Sequence, residues 1–250
     1  MTRTVKVLEV LGLFDEQRSS VRATSISRLL RVSQATAYRC IGDLEGAGLL
    51  ESAGGGNYVL GPAIVELDRR IRLNDPLIIA AADVCRGLSD RTRGTVLLCR
   101  RHGLKVLCVH EAAGSAAPRA TGYERGRAMP LYRGATSQAI LAYVSDAVLR
   151  HLLINDGKGL QAAGWPTEAA PLRARLARMR EQRVFATAGE VSPDAMGWAV
   201  PLFQGKHLLG SLSVVRRKGT VAEEAPRIID QLRRGALRIE GRIEDGVGRR

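Results

Sequence analysis

The sequence predicts an α+β protein built in two parts. Three observations carry this reading. Two short amphipathic helices, a turn and a glycine-tipped hairpin occupy residues 24–61. A helix follows and is stopped by a proline at residue 76. Long helices then alternate with antiparallel strand pairs to the end of the chain.

The first helix spans Thr4 to Phe14, with Val5, Leu8, Leu11 and Leu13 as its apolar face. Thr24-Ser25 offers an N-cap to the second, whose Ile26, Leu29 and Leu30 share a side. Arg31-Val32-Ser33 makes a short turn, and Ser33 can cap the third helix. That helix buries Ala37, Ile41 and Leu44 at helical spacing and shows Gln34, Thr36, Tyr38 and Arg39 elsewhere. Gly46 and Gly48 end it. Leu49-Leu50-Glu51 and Asn57-Tyr58-Val59-Leu60 then alternate as strands around Gly54-Gly55-Gly56. That order is a winged helix-turn-helix, which places one helix in the DNA major groove. The expected domains are therefore 1–61 for the winged helix, 62–75 for a linker helix and 76–250 for the rest.

Gly61-Pro62 breaks the last strand of the wing. Ala63 to Leu73 restarts as the linker helix, with Ile64, Leu67 and Ile71 facing one way, and Asn74-Asp75-Pro76 closes it. Leu77 to Arg91 is amphipathic through Ile78, Ala81, Val84, Cys85 and Leu88. Thr95–Cys99 and Val106–Val109 form a hairpin that turns at His102-Gly103. Residues 113–130 read as a loop bordered by a short strand. Helices are expected over Thr136–Val144, Asp146–Leu153 and Glu168–Gln182. Strands are expected over Val184–Ala186, Gly197–Phe203 and Leu208–Val215, with a turn at Gln204-Gly205-Lys206 and a last helix from Ala222 to about Ile243. This alternation implies an α+β sensor-like domain.

The net charge of +13 invites a nucleic-acid reading. Residues 1–75 hold ten Lys/Arg against nine Asp/Glu, so that part is nearly neutral. Yet Arg18, Arg22, Arg28, Arg31 and Arg39 form an acid-free stripe that can follow phosphates. Cys40, Cys85, Cys99 and Cys108 are scattered without a CxxC pair, which fits a reducing cytoplasm and neither a zinc cage nor a disulfide framework. No apolar run has membrane-spanning length and no signal-peptide core precedes the first helix, so a cytoplasmic protein without a membrane partner is expected. No metal or other cofactor and no catalytic residue are expected: His102, His110, His151 and His207 lack metal-ligand spacing, and there is no GxSxG, HExxH or P-loop.

The chain resembles the IclR-type transcriptional regulators over nearly its full length. The N-terminal similarity lies in the helix-turn-helix, Arg39 and the Tyr58-x-Leu60-Gly61 end of the wing. The C-terminal similarity lies in Pro130-Leu131, then Gly134-Ala135-Thr136-Ser137-Gln138-Ala139-Ile140-Leu141-Ala142. It continues with Gly189-Glu190, Gly197, Ala199-Val200-Pro201-Leu202-Phe203 and Leu212-Ser213-Val214. The resemblance implies a GAF-like effector-binding and oligomerisation domain, a small-molecule effector, and homodimers or tetramers whose operator binding the effector alters. Where the family commonly has Gly-Lys-Ala, this chain has Ser137-Gln138-Ala139. A preference for an anionic ligand that rested on that lysine does not carry over.

On double-stranded operator DNA, Gln34 and Arg39 are the expected readers, since Gln pairs bidentately with adenine and Arg with guanine or a phosphate, an internal salt bridge being the alternative for Arg39. Thr36, Tyr38, Ser33 and Arg22 would meet backbone or a thymine methyl, and Gly55 and Asn57 would bring the wing close. The motif match carries the effector site to Thr121, Ala135, Thr136, Ser137, Thr187, Glu190, Gly197 and Ser213. Hydroxyls and helix-end N–H groups suit a carboxylic or aromatic metabolite, with Leu131, Met196 and Trp198 over its apolar body. The competing classes are an enzyme and a non-regulatory DNA or RNA binder whose second domain only oligomerises.

Overall fold

The computed structural model of the protein describes residues 3–115, 122–219 and 223–246, with side chains from Val7 onward. It divides into two compact units, Met1–Leu73 and Asn74–Arg250.

The first unit runs α1 (Arg3–Leu11), β1 (Val21–Arg22), α2 (Ala23–Leu30), α3 (Gln34–Gly46), β2 (Leu50–Ser52), β3 (Asn57–Leu60) and α4 (Ala63–Asn74). Val10, Val21, Ile26, Ala37, Ile41, Leu44 and Leu50 close a small core beneath α3. Two expectations change here. Leu8 is 58 % exposed, because the inward stripe of α1 is Val7, Val10 and Leu11 with Phe14 beyond it, at helical spacing. The α2 cap is Arg22 in extended backbone, whose side chain makes no capping bond, and Thr24-Ser25 lies inside the first turn. The cause is β1, which sequence patterning missed. It pairs Val21 with Tyr58 and Arg22 with Asn57, so the helix starts as soon as the pairing stops.

Ser33 does cap α3, its hydroxyl accepting the Thr36 N–H at 3.2 Å. The other end closes as a Schellman motif. Leu49 N–H reaches Leu44 O at 2.9 Å and Gly48 N–H reaches Glu45 O at 2.9 Å, with Gly48 at φ 68°. The helix α4 buries no residue within the described chain. Val65, Leu67, Ile71 and Leu73 are 46–68 % exposed along it.

The second unit contains α5 (Pro76–Thr92), β4 (Thr95–His102), β5 (Lys105–Ala112), β6 (Ala128–Pro130), α6 (Ala135–Leu141), α7 (Asp146–Ala162) and α8 (Ala169–Gln182). It continues with β7 (Phe185–Ala188), β8 (Ala195–Gln204), β9 (His207–Arg217) and α9 (Ala225–Glu244). Six strands form one antiparallel sheet in the order β6-β5-β4-β9-β8-β7. Alternation along each strand separates its faces. Val96, Leu98, Trp198, Val200, Leu212 and Val214 pack on α5 and α9. Leu97, Cys99, Ala195, Ala199 and Val215 face the opposite side, under α6, α7 and α8. Each large aliphatic side chain buried in these layers contributes about 1.5–3 kcal/mol. The approach of α9 to α5 needs Gly235, where a Cβ would stand 2.8 Å from Leu88 Cδ1.

The helix α7 runs past the expected end at Leu153 to Ala162. Only Asp156 leaves helical geometry, at φ −141° and ψ 31°, where it accepts the Tyr132 hydroxyl at 2.8 Å. Leu160 then anchors the continuation in the core. The expected start of the last helix at Ala222 lies outside the described residues.

Candidate DNA-contacting surface and effector pocket

On the first unit, Gln34, Tyr38 and Arg39 all stand exposed on α3, Tyr38 at 57 %. Tyr38 therefore does not pack into the core of its domain. No carboxylate pairs with Arg39 among the described residues; its Nη2 lies 3.5 Å from Thr36 Oγ1. Thr36 also meets the Ser33 hydroxyl at 2.9 Å, so both hydroxyls are engaged in the helix start. Arg22 and Asn57, expected as separate contacts, form one unit: Arg22 Nε donates to Asn57 Oδ1 at 2.9 Å. Asn57 Nδ2 in turn donates to Gly54 O at 3.3 Å and steadies the tip where Gly54, Gly55 and Gly56 all take positive φ. Of the arginine stripe, Arg18 is held in a turn by Leu13 O. Arg28, Arg31 and Arg39 remain exposed around α2 and α3.

On the second unit, a small cavity opens at the start of α6, where the chain leaves β6. Ala135, Thr136, Thr187, Glu190 and Gly197 line it, together with Tyr123 and Val191. Its volume is about 20 Å³, room for roughly one water. Ser137 and Ser213, expected at the site, lie behind this wall and are fully buried. Ser213 Oγ accepts the Thr136 hydroxyl at 2.8 Å, and Ser211 Oγ donates to Thr136 O at 3.0 Å. Ser137 Oγ lies 2.8 Å from the Tyr123 hydroxyl, which donates to Arg133 O at 2.5 Å. Burial pushes the Tyr123 phenol well above its ordinary pKa, so it stays a neutral donor. Thr121 lies outside the described residues.

Two of the N–H groups expected to be open at this helix start are taken. Gly134 N–H donates to Glu190 Oε2 at 2.9 Å, and Ala135 N–H donates to Thr187 Oγ1 at 3.0 Å. Gln138 Nε2 reaches the same Glu190 oxygen at 2.9 Å, and Arg133 Nε binds Glu190 O at 2.7 Å. The segment after β7 thus lies across the cavity like a plug. Val191 is seated over Gly122 and Gly134, where a Cβ would stand 2.3 Å and 2.8 Å from its methyl groups.

The apolar cover expected from Leu131, Met196 and Trp198 is not there. Trp198 and Met196 belong to the α5/α9 face and Leu131 to the core beside α7. Gly197 faces the cavity, so its neighbours Met196 and Trp198 must point the other way. Val191, Ala195 and Val215 line the site instead. Sequence reasoning also missed Tyr123 and Gln138. For Gln138 there was a signal, its departure from the family pattern; for Tyr123, a lone aromatic in a glycine-rich loop, there was almost none.

Among the described residues no helix is long and apolar enough to cross a membrane. The family model for the bacterial transcriptional regulator IclR C-terminal region matches residues 73–240, and that for the IclR helix-turn-helix domain matches residues 4–54. The HTH-type transcriptional regulator XynR of Escherichia coli K12 is 26% identical over 242 residues, which cover 94% of each chain. A structure from Silicibacter sp. TM1040, assigned to the same class of regulator, is 25% identical. It covers 99% of this chain and 96% of its own, with a TM-score of 0.79. An IclR homologue from Microbacterium hydrocarbonoxydans, complexed with 4-hydroxybenzoate, superposes with a TM-score of 0.74 at 21% identity, covering 98% and 100%. Its likeness is one of fold. With both modules matched in order along one chain, the protein belongs to the IclR family of bacterial transcriptional regulators.

Proposed function

We propose that the protein binds a double-stranded operator as a homodimer or tetramer, and that a small carboxylic or aromatic metabolite in the α6 cavity modulates this binding. It is a regulator in this reading, with no catalytic role. Residues 1–61 form the reading head, 62–75 the linker and 76–250 the effector and oligomerisation domain. Gln34 and Arg39 read base edges. Arg22, Ser33, Thr36, Tyr38, Gly55 and Asn57 set the helix and wing against the backbone.

The observation that carries the effector class is the bonding of Glu190. The donors at the start of α6 already hold a carboxylate, and it is the protein's own. An incoming acid that displaced Glu190 would inherit those N–H groups, with Thr136 and Thr187 beside it and Gly197 beneath. Withdrawal of Val191 makes the room, since about 20 Å³ holds no metabolite. The bound 4-hydroxybenzoate of the Microbacterium homologue supports an aromatic acid of this kind. Ligand-driven movement of this segment shifts DNA binding only through a difference in affinity between the two arrangements.

Selection of duplexes from a random pool, followed by mobility-shift titration with and without 4-hydroxybenzoate, tests the reading. A palindromic site is expected, with affinity that responds to the acid. Arg39→Ala should cost about 1–3 kcal/mol on that site and relax one base position. An unchanged affinity for Arg39→Ala removes it from the readers, and indifference to a broad panel of acids removes the effector role.

A further inference from the structure

A second opening in this unit is far wider than the α6 cavity and shares no residue with it. Strand β7 pairs with β8 only over Met196–Ala199, so from Val200 to Phe203 the side of β8 away from β9 carries no strand neighbour among the described residues. Beside that edge lies a groove of about 670 Å³, floored by Val200, Pro201 and Phe203 and walled by Tyr143 and the α9 side chains of Leu237 and Glu240. That volume falls within the usual range for small-molecule sites.

The edge itself is closed to another strand. Phe203 N–H donates to Glu240 Oε1 at 2.7 Å, and Pro201 has no N–H. The groove is aromatic: the Tyr143 and Phe203 rings meet edge to face, 5.0 Å apart at 83°. Leu237 projects at its rim, 69 % exposed.

Its charge is lopsided. Arg183, Lys206 and Arg233 line the rim, and none is paired with a carboxylate among the described residues. Elsewhere on α9, Arg234 pairs with Asp230, and Arg238 and Arg242 pair with Asp83. The one lining acid is Glu240, already occupied by the Phe203 N–H, and burial pushes its carboxyl up. Tyr143, Phe203 and Leu237 thus offer an apolar surface for a flat ring, and the three cations at its rim suit an anionic group.

We propose that this groove is a second ligand site, distinct from the α6 cavity, for an organic monoanion with an aromatic body, such as an aryl carboxylate. The ligand's ring lies against Tyr143, Phe203 and Leu237, and its carboxylate is held by Arg183 and Arg233 with Lys206 beside them.

The test is isothermal titration of the full chain with 2-naphthoate and with its neutral counterpart 2-naphthamide, backed by sedimentation velocity. Wild type should show a binding step for the acid that is at least ten-fold weaker for the amide. The exposed double variant Arg183→Gln/Arg233→Gln should weaken that step at least ten-fold, and Leu237→Asp should abolish it without altering the sedimentation coefficient. Equal binding of acid and amide, or undiminished binding in the double variant, overturns the proposal. A fall in assembly size in Leu237→Asp overturns it too, because a second copy of the chain then covers the groove.

Discussion

Glu190 Oε2 accepts the Gly134 N–H at 2.9 Å, across 56 residues of sequence, and thereby places a carboxylate at the start of α6. In the proposed mechanism it is the group an effector acid must displace. Glu190→Gln keeps an acceptor for Gly134 but removes the negative charge that opposes an incoming anion. The expected gain for 4-hydroxybenzoate is about 1 kcal/mol, roughly five-fold, because the site is partly solvent-screened. Calorimetric titration checks this, and weaker binding in the variant would show that Glu190 holds the ligand instead of competing with it.

Thr136 and Ser213 form the second relationship. Their hydroxyl pair is fully enclosed between α6 and β9, 2.8 Å apart. Thr136→Val leaves the Ser213 hydroxyl without its donor in a dry place, at a cost of about 1–3 kcal/mol. Adding Ser213→Ala removes the orphan, and the double variant should recover much of the loss. Urea unfolding of the four proteins closes the cycle; additive losses would mean that the pair is not coupled.

These two contacts also show how far the sequence was legible. The helix-turn-helix was readable because its signals are local. Ser33 caps α3, Ala37, Ile41 and Leu44 repeat at helical spacing, and Gly48 takes the left-handed turn. The α2 cap was misread because β1 is only two residues long and is defined by its partner β3. At the α6 cavity the lining of Ala135, Thr136, Thr187, Glu190 and Gly197 follows the motif match. The hidden position of Ser213 depends instead on which face of β9 meets α6. For Trp198 the answer was available, since a residue adjacent to Gly197 on a strand cannot share its face. The plugging of the cavity by Glu190 and Val191 was not readable, because it joins segments more than fifty residues apart.

The uncovered apolar side of α4 gives a prediction on assembly. Leu67 and Ile71, one turn apart on α4, are 46 % and 52 % exposed and share an apolar stripe left uncovered among the described residues. Pairing of this helix with its copy in a second subunit would cover the stripe and set two α3 helices for two half-sites, whole duplex turns of roughly 34 Å apart. Leu67→Asp/Ile71→Asp should therefore lower the assembly size in sedimentation velocity and weaken operator binding well beyond ten-fold. The circular dichroism spectrum should keep its helical signal. An unchanged sedimentation coefficient would place the subunit contact elsewhere.

The last prediction concerns acid. Arg242 clamps the end of α9 to α5: it bonds both carboxylate oxygens of Asp83, one of them from Nη2 at 2.9 Å, and donates to Ala80 O at 2.9 Å. The hydrogen bond from Arg242 holds the Asp83 carboxyl down at about 2, against an ordinary value near 3.8. A depressed folded pKa means that the contribution is complete above pH 4 and disappears as the pH falls towards 2. Asp83 is 57 % exposed, so solvent screening leaves about 1 kcal/mol or less from the pair. Arg216 lowers Glu224 in the same direction, but that pair stays intact in both proteins to be compared. Asp83→Asn should thus be less stable than wild type at pH 6, and the two should converge between pH 4 and pH 2. Urea unfolding across that range checks it; a gap that persists at pH 2 would show that Asp83 stabilises the helix pair through packing and not through its charge.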